Sequence, residues 1–175
     1  MNGHVLVLGG ARSGKSAFAE RLALRFGSRP AYLATAEAGD AEMAERIAEH
    51  RNRREARFVT FEEPLALITT LQTIAVEHDL VLVDCLTLWI TNMMLAGEDV
   101  AVAVAALCEW MDHHSTPRLV VVSSEVGLGV VPDNAMARHF RDLAGTAHQR
   151  LAEVCDSVVM TTAGLPMALK GGLSV

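Results

Sequence analysis

A chain of 175 residues that is 51% apolar and 21% charged has the composition of one globular domain with a substantial core and not of a disordered protein. Its net charge of −6 opposes a general nucleic-acid binder, whose phosphate contacts need a basic footprint, and opposes stable attachment to anionic lipid. Cys85, Cys108 and Cys155 are odd in number and lack a CxxC pair, so they supply neither a disulfide framework nor a zinc site and suit a reducing cytoplasm.

The first strand is expected at residues 4–8, and no basic stretch followed by a long apolar one precedes it, which argues against a secretory leader. It runs into Gly9-Gly10-Ala11-Arg12-Ser13-Gly14-Lys15-Ser16, which matches G-x-x-x-x-G-K-[ST] between a hydrophobic strand and a helix expected over 14–26. Glycines there let backbone N–H groups wrap a phosphate, and the helix N-terminus adds partial positive charge. Lys15 can reach the β- and γ-phosphates and the Ser16 hydroxyl can ligate Mg²⁺. Lys15 is one of two lysines, against thirteen arginines. The bland alternative is a glycine-rich turn before a helix.

Further along, strands are expected at 31–34, 58–61, Leu80–Asp84, 119–123 and 157–161. Helices are expected at 41–56, 64–77, 86–95, Val100–His113 and 134–154. Strands alternating with helices imply a parallel sheet with helices on both faces. Runs such as Val81-Leu82-Val83 and Val120-Val121-Val122 lack period-two alternation, as expected for strands buried on both sides. Gly145 weakens the expectation that the last helix is unbroken. The apolar stretch 80–96 is interrupted by Asp84, Thr87, Thr91 and Asn92, so no membrane span is expected.

Asp84 ends the run Leu80-Val81-Leu82-Val83. A carboxylate at the end of a buried strand beside the P-loop is placed to hold Mg²⁺ through water; the alternative is an N-cap for the next helix. The guanine-reading N-K-x-D is absent, and Asp142-Leu143-Ala144-Gly145 fits D-x-x-G only formally, inside a helical pattern. A metabolic kinase or nucleotidyltransferase is the leading class. Glu125-Val126-Gly127-Leu128-Gly129-Val130-Val131-Pro132 follows a strand, where α/β folds bind ligands. Its sequence assigns no residue a role there.

Arg46, Arg51, Arg53, Arg54 and Arg57 hold five of the fifteen basic residues within twelve positions. Asp40 can cap a helix from Ala41. On that helix Met43, Ile47, His50 and Arg54 fall within about 60° of one another. One reading is a solvated charged face with a histidine at its edge. The other makes neutral His50 a nucleophile toward phosphorus, with guanidiniums neutralising phosphate charge. Spacing alone does not choose between them.

The P-loop, the block Glu42-Met43-Ala44-Glu45-Arg46-Ile47-Ala48-Glu49-His50, the block from Asp84 to Asn92, the loop from Ser124 to Asn134 and the blocks at 137–145 and 149–152 together resemble a known family. It is the bifunctional adenosylcobinamide kinase / adenosylcobinamide-phosphate guanylyltransferase family of cobalamin synthesis, and the resemblance runs from Leu6 to about Lys170. It implies phosphorylation of the corrinoid's aminopropanol hydroxyl with ATP or GTP. Transfer of GMP from GTP onto that phosphate follows, through a GMP-histidine at the position of His50. It also implies nucleotide contacts at residues 9–16, at Ala34, Thr35 and Ala36, at Arg51, Asn52, Arg53 and Arg54, and at Glu62 and Asp84. Mg²⁺ would sit on Ser16 and Asp84, in a RecA-like P-loop domain spanning 1–175 and assembled as a homotrimer. Asp84 is one methylene shorter than a Glu would be there, so its reach favours contact through water over direct ligation. The bland alternatives are a strand-to-helix turn at 34–36 and a first-turn helix carboxylate at Glu62. Two rival functions stay open: a P-loop small-molecule kinase without guanylyl transfer, and a nucleotide-sensing regulator.

Overall fold

The computed structural model describes residues 3–37 and 57–172. In chain order the elements are β1 (Val5–Gly9), α1 (Lys15–Phe26), β2 (Pro30–Ala34), β3 (Val59–Glu62), α2 (Leu67–Ile74), β4 (Leu80–Asp84), α3 (Leu86–Ala96), α4 (Val100–His113), β5 (Arg118–Ser124), α5 (Ala135–Val154), β6 (Ser157–Thr162) and β7 (Leu165–Lys170). The strands form one sheet in the order β3-β2-β4-β5-β1-β6-β7. All neighbours are parallel except β6 and β7, which make an antiparallel hairpin at one edge.

Strands β1, β4 and β5 carry apolar residues on both faces because both faces are covered. On one face Leu6, Leu33, Val81, Val83, Leu119 and Val121 pack against Leu71, Trp89, Ile90, Leu107 and Leu151 of the helices α2 to α5. On the other face Val5, Val7, Tyr32, Leu82, Val120 and Val122 pack against Phe18, Ala19 and Ala23 of α1. Asp99 caps α4 by accepting from Ala101 N and Val102 N at 3.0 and 3.1 Å, and Asn134 caps α5 by accepting from Ala137 N at 2.7 Å. Both are favoured N-cap residues.

The helix expected over 134–154 is α5, which runs through Gly145 without a break. Three expectations are corrected. Helix α2 is shorter than 64–77, since Glu63 Oε1 accepts from Leu65 N and Ala66 N at 2.9 and 2.8 Å and holds that stretch in a turn. Strand β7 was not anticipated, because Leu-Pro-Met-Ala-Leu-Lys has low β propensity. Its proline is tolerated at a sheet edge, where one backbone donor is dispensable. The strand carrying Asp84 is not beside β1, since β5 lies between them.

All three cysteines are free. Burial pushes the Cys85 and Cys155 thiols up to about 11 and about 12 and also raises Cys108, so they stay protonated at neutral pH. No described helix is long and apolar enough to cross a membrane.

At the edge opposite the P-loop, Asp79 accepts from Ser28 N at 2.9 Å and Arg29 N at 2.7 Å, with Arg118 Nη2 at 3.8 Å. This ties the start of β2 to the start of β4. Partial burial alone would raise its pKa, but the two N–H bonds and the guanidinium outweigh that and hold it below 3.8. A depressed carboxyl stabilises the fold above its ordinary value, and that contribution is lost as pH falls through the lower native value. We expect Asp79→Ala to lower the unfolding free energy by about 1–3 kcal/mol at neutral pH. In urea titrations the gap from the unsubstituted protein should close on the acid side of 3.8.

Candidate nucleotide site at the carboxyl edge of the sheet

The chain leaves β1 at Gly9 and re-enters regular structure at Lys15. Between them Ser13 N bonds Gly10 O at 3.3 Å, and Arg12 and Gly14 both have positive φ, 55° and 92°. Such a turn aims successive N–H groups into a concavity that suits an anion, and Gly14 accepts its φ without strain. The first turn of α1 contributes Ser16 beside it, partly exposed. Lys15 Nζ donates to Gly10 O at 3.2 Å, so the ammonium already lies across the loop. An arriving phosphate offers it a stronger, charged acceptor.

A second element braces the loop from behind. Thr161 of β6 donates its hydroxyl to Leu8 O and receives that of Ser13, both at 3.0 Å and both buried. The β6–β7 turn adds Gly164 N donating to Ser13 O at 2.8 Å. A Cβ on Gly9 would lie 2.3 Å from Ser13 Oγ and 2.4 Å from Thr161 Oγ1, so only glycine fits there. Sequence reading missed this brace because its donor lies about 150 residues away in a strand with no motif.

The register sets the other predicted residues along the same edge. Ala34 is level with Glu62 on β3 and with Asp84 on β4. Asp84 is partly buried, and its Oδ2 accepts from Tyr32 OH at 2.8 Å. Glu62 is exposed. Thr35 is fully buried and every polar atom it has is engaged. Its hydroxyl donates to Cys85 O (2.7 Å) and accepts from Cys85 N (2.9 Å), its N–H goes to Asp84 O, and its carbonyl accepts from Asn92 Nδ2 (2.8 Å). Thr35 therefore holds the turn between Ala34 and Ala36 in place. Cys85 heads α3 without a side-chain cap bond, so the Asp84 carboxylate is not spent as that helix's cap.

His50, Arg51, Asn52, Arg53 and Arg54, and the helix expected over 41–56, lie outside the described residues. Arg57, the first described residue after them, stands in a turn and donates from Nη2 to Leu24 O at 3.1 Å. Leu24 is about 14 Å along α1 from Lys15 at 1.5 Å per residue. A hollow lined by Ser28, Arg29, Arg57 and His78 lies at that same far edge, away from the P-loop.

Sequence reading also missed a buried polar cluster at the end of β5. Ser123 Oγ and His148 Nε2 are 2.7 Å apart, and His148 Nδ1 is 3.7 Å from Glu125 Oε2. Burial lowers the His148 pKa despite the opposing pull of Glu125, which keeps the ring neutral at neutral pH. Glu125 N donates to Gly9 O at 3.0 Å, which fixes the start of the β5–α5 loop against the P-loop.

A P-loop at the carboxyl edge of a mostly parallel sheet, with an acidic strand end two strands away, defines a RecA-like P-loop NTPase fold. A type III secretion system ATPase shares that fold, with a TM-score of 0.58 at 12% identity over 91% of this chain and 51% of that chain. This chain therefore spans about half of that protein. The model of the family "Cobinamide kinase / cobinamide phosphate guanyltransferase" matches residues 5–169. The bifunctional adenosylcobalamin biosynthesis protein CobP of Pseudomonas aeruginosa is 52% identical over 168 residues, covering 95% of this chain and 96% of that protein. The corresponding CobU of Salmonella typhimurium is 37% identical over 182 residues, covering 95% and 99%. This chain belongs to the cobinamide kinase / cobinamide phosphate guanyltransferase family.

Thr161→Val removes the brace without changing the side chain's shape. It leaves the Ser13 hydroxyl and Leu8 carbonyl short of a buried partner, at a cost of about 1–3 kcal/mol. Thermal unfolding should show that loss, and calorimetric titration should show weaker binding of ATP as the loop relaxes. Undiminished affinity would mean that the loop keeps its shape without Thr161.

Proposed function

We propose that this chain phosphorylates the aminopropanol hydroxyl of adenosylcobinamide with ATP or GTP. It then transfers GMP from GTP onto the new phosphate through a GMP-histidine at His50, giving adenosylcobinamide-GDP and pyrophosphate. The observation that carries this reading is the family match from residue 5 to 169, on a chain whose P-loop is built and braced at the carboxyl edge of its sheet.

In the first half-reaction the backbone from Gly9 to Ser16 cradles the phosphates and Lys15 draws charge toward the β/γ bridge as it breaks. Ala34, Thr35, Ala36 and Glu62 border the nucleotide along the same edge. Mg²⁺ fits the donors present: Ser16 hydroxyl and Asp84 carboxylate are hard oxygen ligands. The Tyr32 bond engages one carboxylate oxygen, Oδ2, and does not involve the other. The described residues hold no group of three His, Cys, Asp or Glu that could bind a metal. This suits an ion completed by phosphate oxygens and water. When bound, Mg²⁺ would neutralise charge on the β- and γ-oxygens.

In the second half-reaction the neutral imidazole of His50 attacks the α-phosphorus of GTP. The bond to the β-phosphate breaks and pyrophosphate leaves. An oxygen of adenosylcobinamide phosphate then displaces the histidine. Both partners in that step are anionic, which is the work assigned to Arg51, Arg53 and Arg54, with Asn52 among them.

The reading includes a single P-loop domain over residues 1–175, a cytoplasmic location and a homotrimer. Two core clusters on one sheet support the first, and three free thiols the second. Leu165, Met167 and Leu169, more than half exposed along β7, support the third, as apolar surface available to another subunit.

Intact mass after incubation with GTP and Mg²⁺ should show one added GMP, labile to acid, stable to base and absent in His50→Ala. A protein that phosphorylates adenosylcobinamide yet never carries GMP would be a kinase alone. Lys15→Ala should lower kinase kcat/KM by at least about 10²-fold, measured by ADP release that depends on adenosylcobinamide.

A further inference from the structure

The reaction proposed above must remove a proton from an alcohol, and none of the residues assigned so far does so. We propose that Glu125 is the proton acceptor for that alcohol in the kinase half-reaction, with His148 as its positioning residue. The proposal rests on the kinase reading.

Position comes first. The carboxylates along the carboxyl edge sit on different strands, and the distance of each from β1 follows from the sheet order. Neighbouring strands are about 4.8 Å apart. Glu62 on β3 is therefore about 19 Å from the P-loop strand, Asp84 on β4 about 10 Å and Glu125, just past β5, about 5 Å. Ser124 is in register with Gly9, and Glu125 N donates to Gly9 O at 3.0 Å. Of the three, Glu125 leaves the sheet where the P-loop begins, and Asp84 already has the Tyr32 hydroxyl on one oxygen.

Orientation comes next. Gly127 N donates to Glu125 Oε1, which turns the carboxylate by its own loop, while Oε2 has His148 as its polar neighbour at 3.7 Å, beyond hydrogen-bond distance. That neutral ring is held by Ser123 at 2.7 Å. With Ser123 donating to Nε2, the Nδ1–H faces the carboxylate. Ser123 is fully buried, so this is no nucleophilic serine. The chain of contacts starts in the core and ends at Glu125, whose side chain is 19% exposed. No described lysine or arginine forms an ion pair with it, so its lone pairs are not spent on a cation.

The step balances. The alcohol O–H bond breaks and its proton passes to Glu125 Oε2 while the oxygen forms its bond to the γ-phosphorus. The bond from that phosphorus to the β-phosphate oxygen breaks, and the nucleoside diphosphate leaves with the electron pair. Glu125 then returns the proton to water. Guanylyl transfer makes no such demand: its acceptor is a phosphate oxygen that already carries negative charge.

That difference gives the test. With the full chain, kinase turnover is measured with adenosylcobinamide and ATP. Guanylyl transfer is measured separately with preformed adenosylcobinamide phosphate and GTP. Glu125→Gln keeps an acceptor for Gly127 N and should lower kinase kcat by ~10²–10⁴-fold, with KM for ATP, guanylyl transfer and the melting temperature unchanged. Glu125→Asp, which keeps the carboxylate, should recover part of the loss. His148→Gln should lower kinase kcat by less and spare guanylyl transfer. An equal fall in both half-reactions would make Glu125 a structural clamp, and full kinase turnover in Glu125→Gln would remove it from the chemistry; either result overturns the proposal. An unsubstituted protein unable to phosphorylate adenosylcobinamide would overturn the kinase reading and this proposal with it.

Discussion

The Thr161 hydroxyl stands between the last turn of β1 and the phosphate loop, bonded to Leu8 O on one side and Ser13 Oγ on the other. A loop meant to surround several negative charges cannot have a carboxylate behind it, and buried main-chain polar groups cannot go without partners. A neutral hydroxyl that both donates and accepts meets both conditions. It does so only because β6 lies parallel to β1 with Gly9 level with Thr161, and only because Gly9 has no side chain to push it away. The loop's shape thus depends on a strand that enters the sheet near the end of the chain.

Once the loop is fixed, the sheet acts as a ruler. The carboxyl ends of its parallel strands present a hydroxyl and an ammonium at β1, a carboxylate with a neutral histidine at β5, and a second carboxylate at β4. Each has a different environment. Asp84 has a tyrosine hydroxyl on one oxygen. Glu125 has a backbone N–H and an uncharged ring. In the proposed reaction metal ligation asks for an acid that stays ionised beside a cation, and proton acceptance asks for one with a free lone pair and no cation. Strand spacing would keep those two proposed roles apart.

The parts of this arrangement that were legible in the sequence are those encoded locally. Unbroken apolar runs marked β1, β4 and β5 because both faces of a central strand are covered. The P-loop announced itself because its glycines, lysine and serine must be consecutive to wrap one phosphate. Asp84 stood out as a charge ending an apolar run. The rest was encoded at a distance. Thr161, His148 and Ser123 are ordinary residues in ordinary elements, and only topology brings them to the loop. Asp79 reads as a turn residue until β2 and β4 are seen side by side. Strand β7 hid behind its proline and its weak propensity, although Ala163-Gly164, both at positive φ (52° and 80°), form the turn that a two-residue hairpin needs.

That proline has a further consequence. Leu165 faces Thr162 across the turn and Pro166 faces Thr161. In a two-residue hairpin the pair closing the turn exchanges hydrogen bonds and the next pair points its main-chain groups away from each other. Position 166 is thus one where the outermost strand would offer a donor to the outside, and proline has none to offer. A foreign strand laid along this border meets a missing rung. Molecules of this protein are thereby discouraged from zipping into an endless ribbon along this border, where Leu165, Met167 and Leu169 stand exposed.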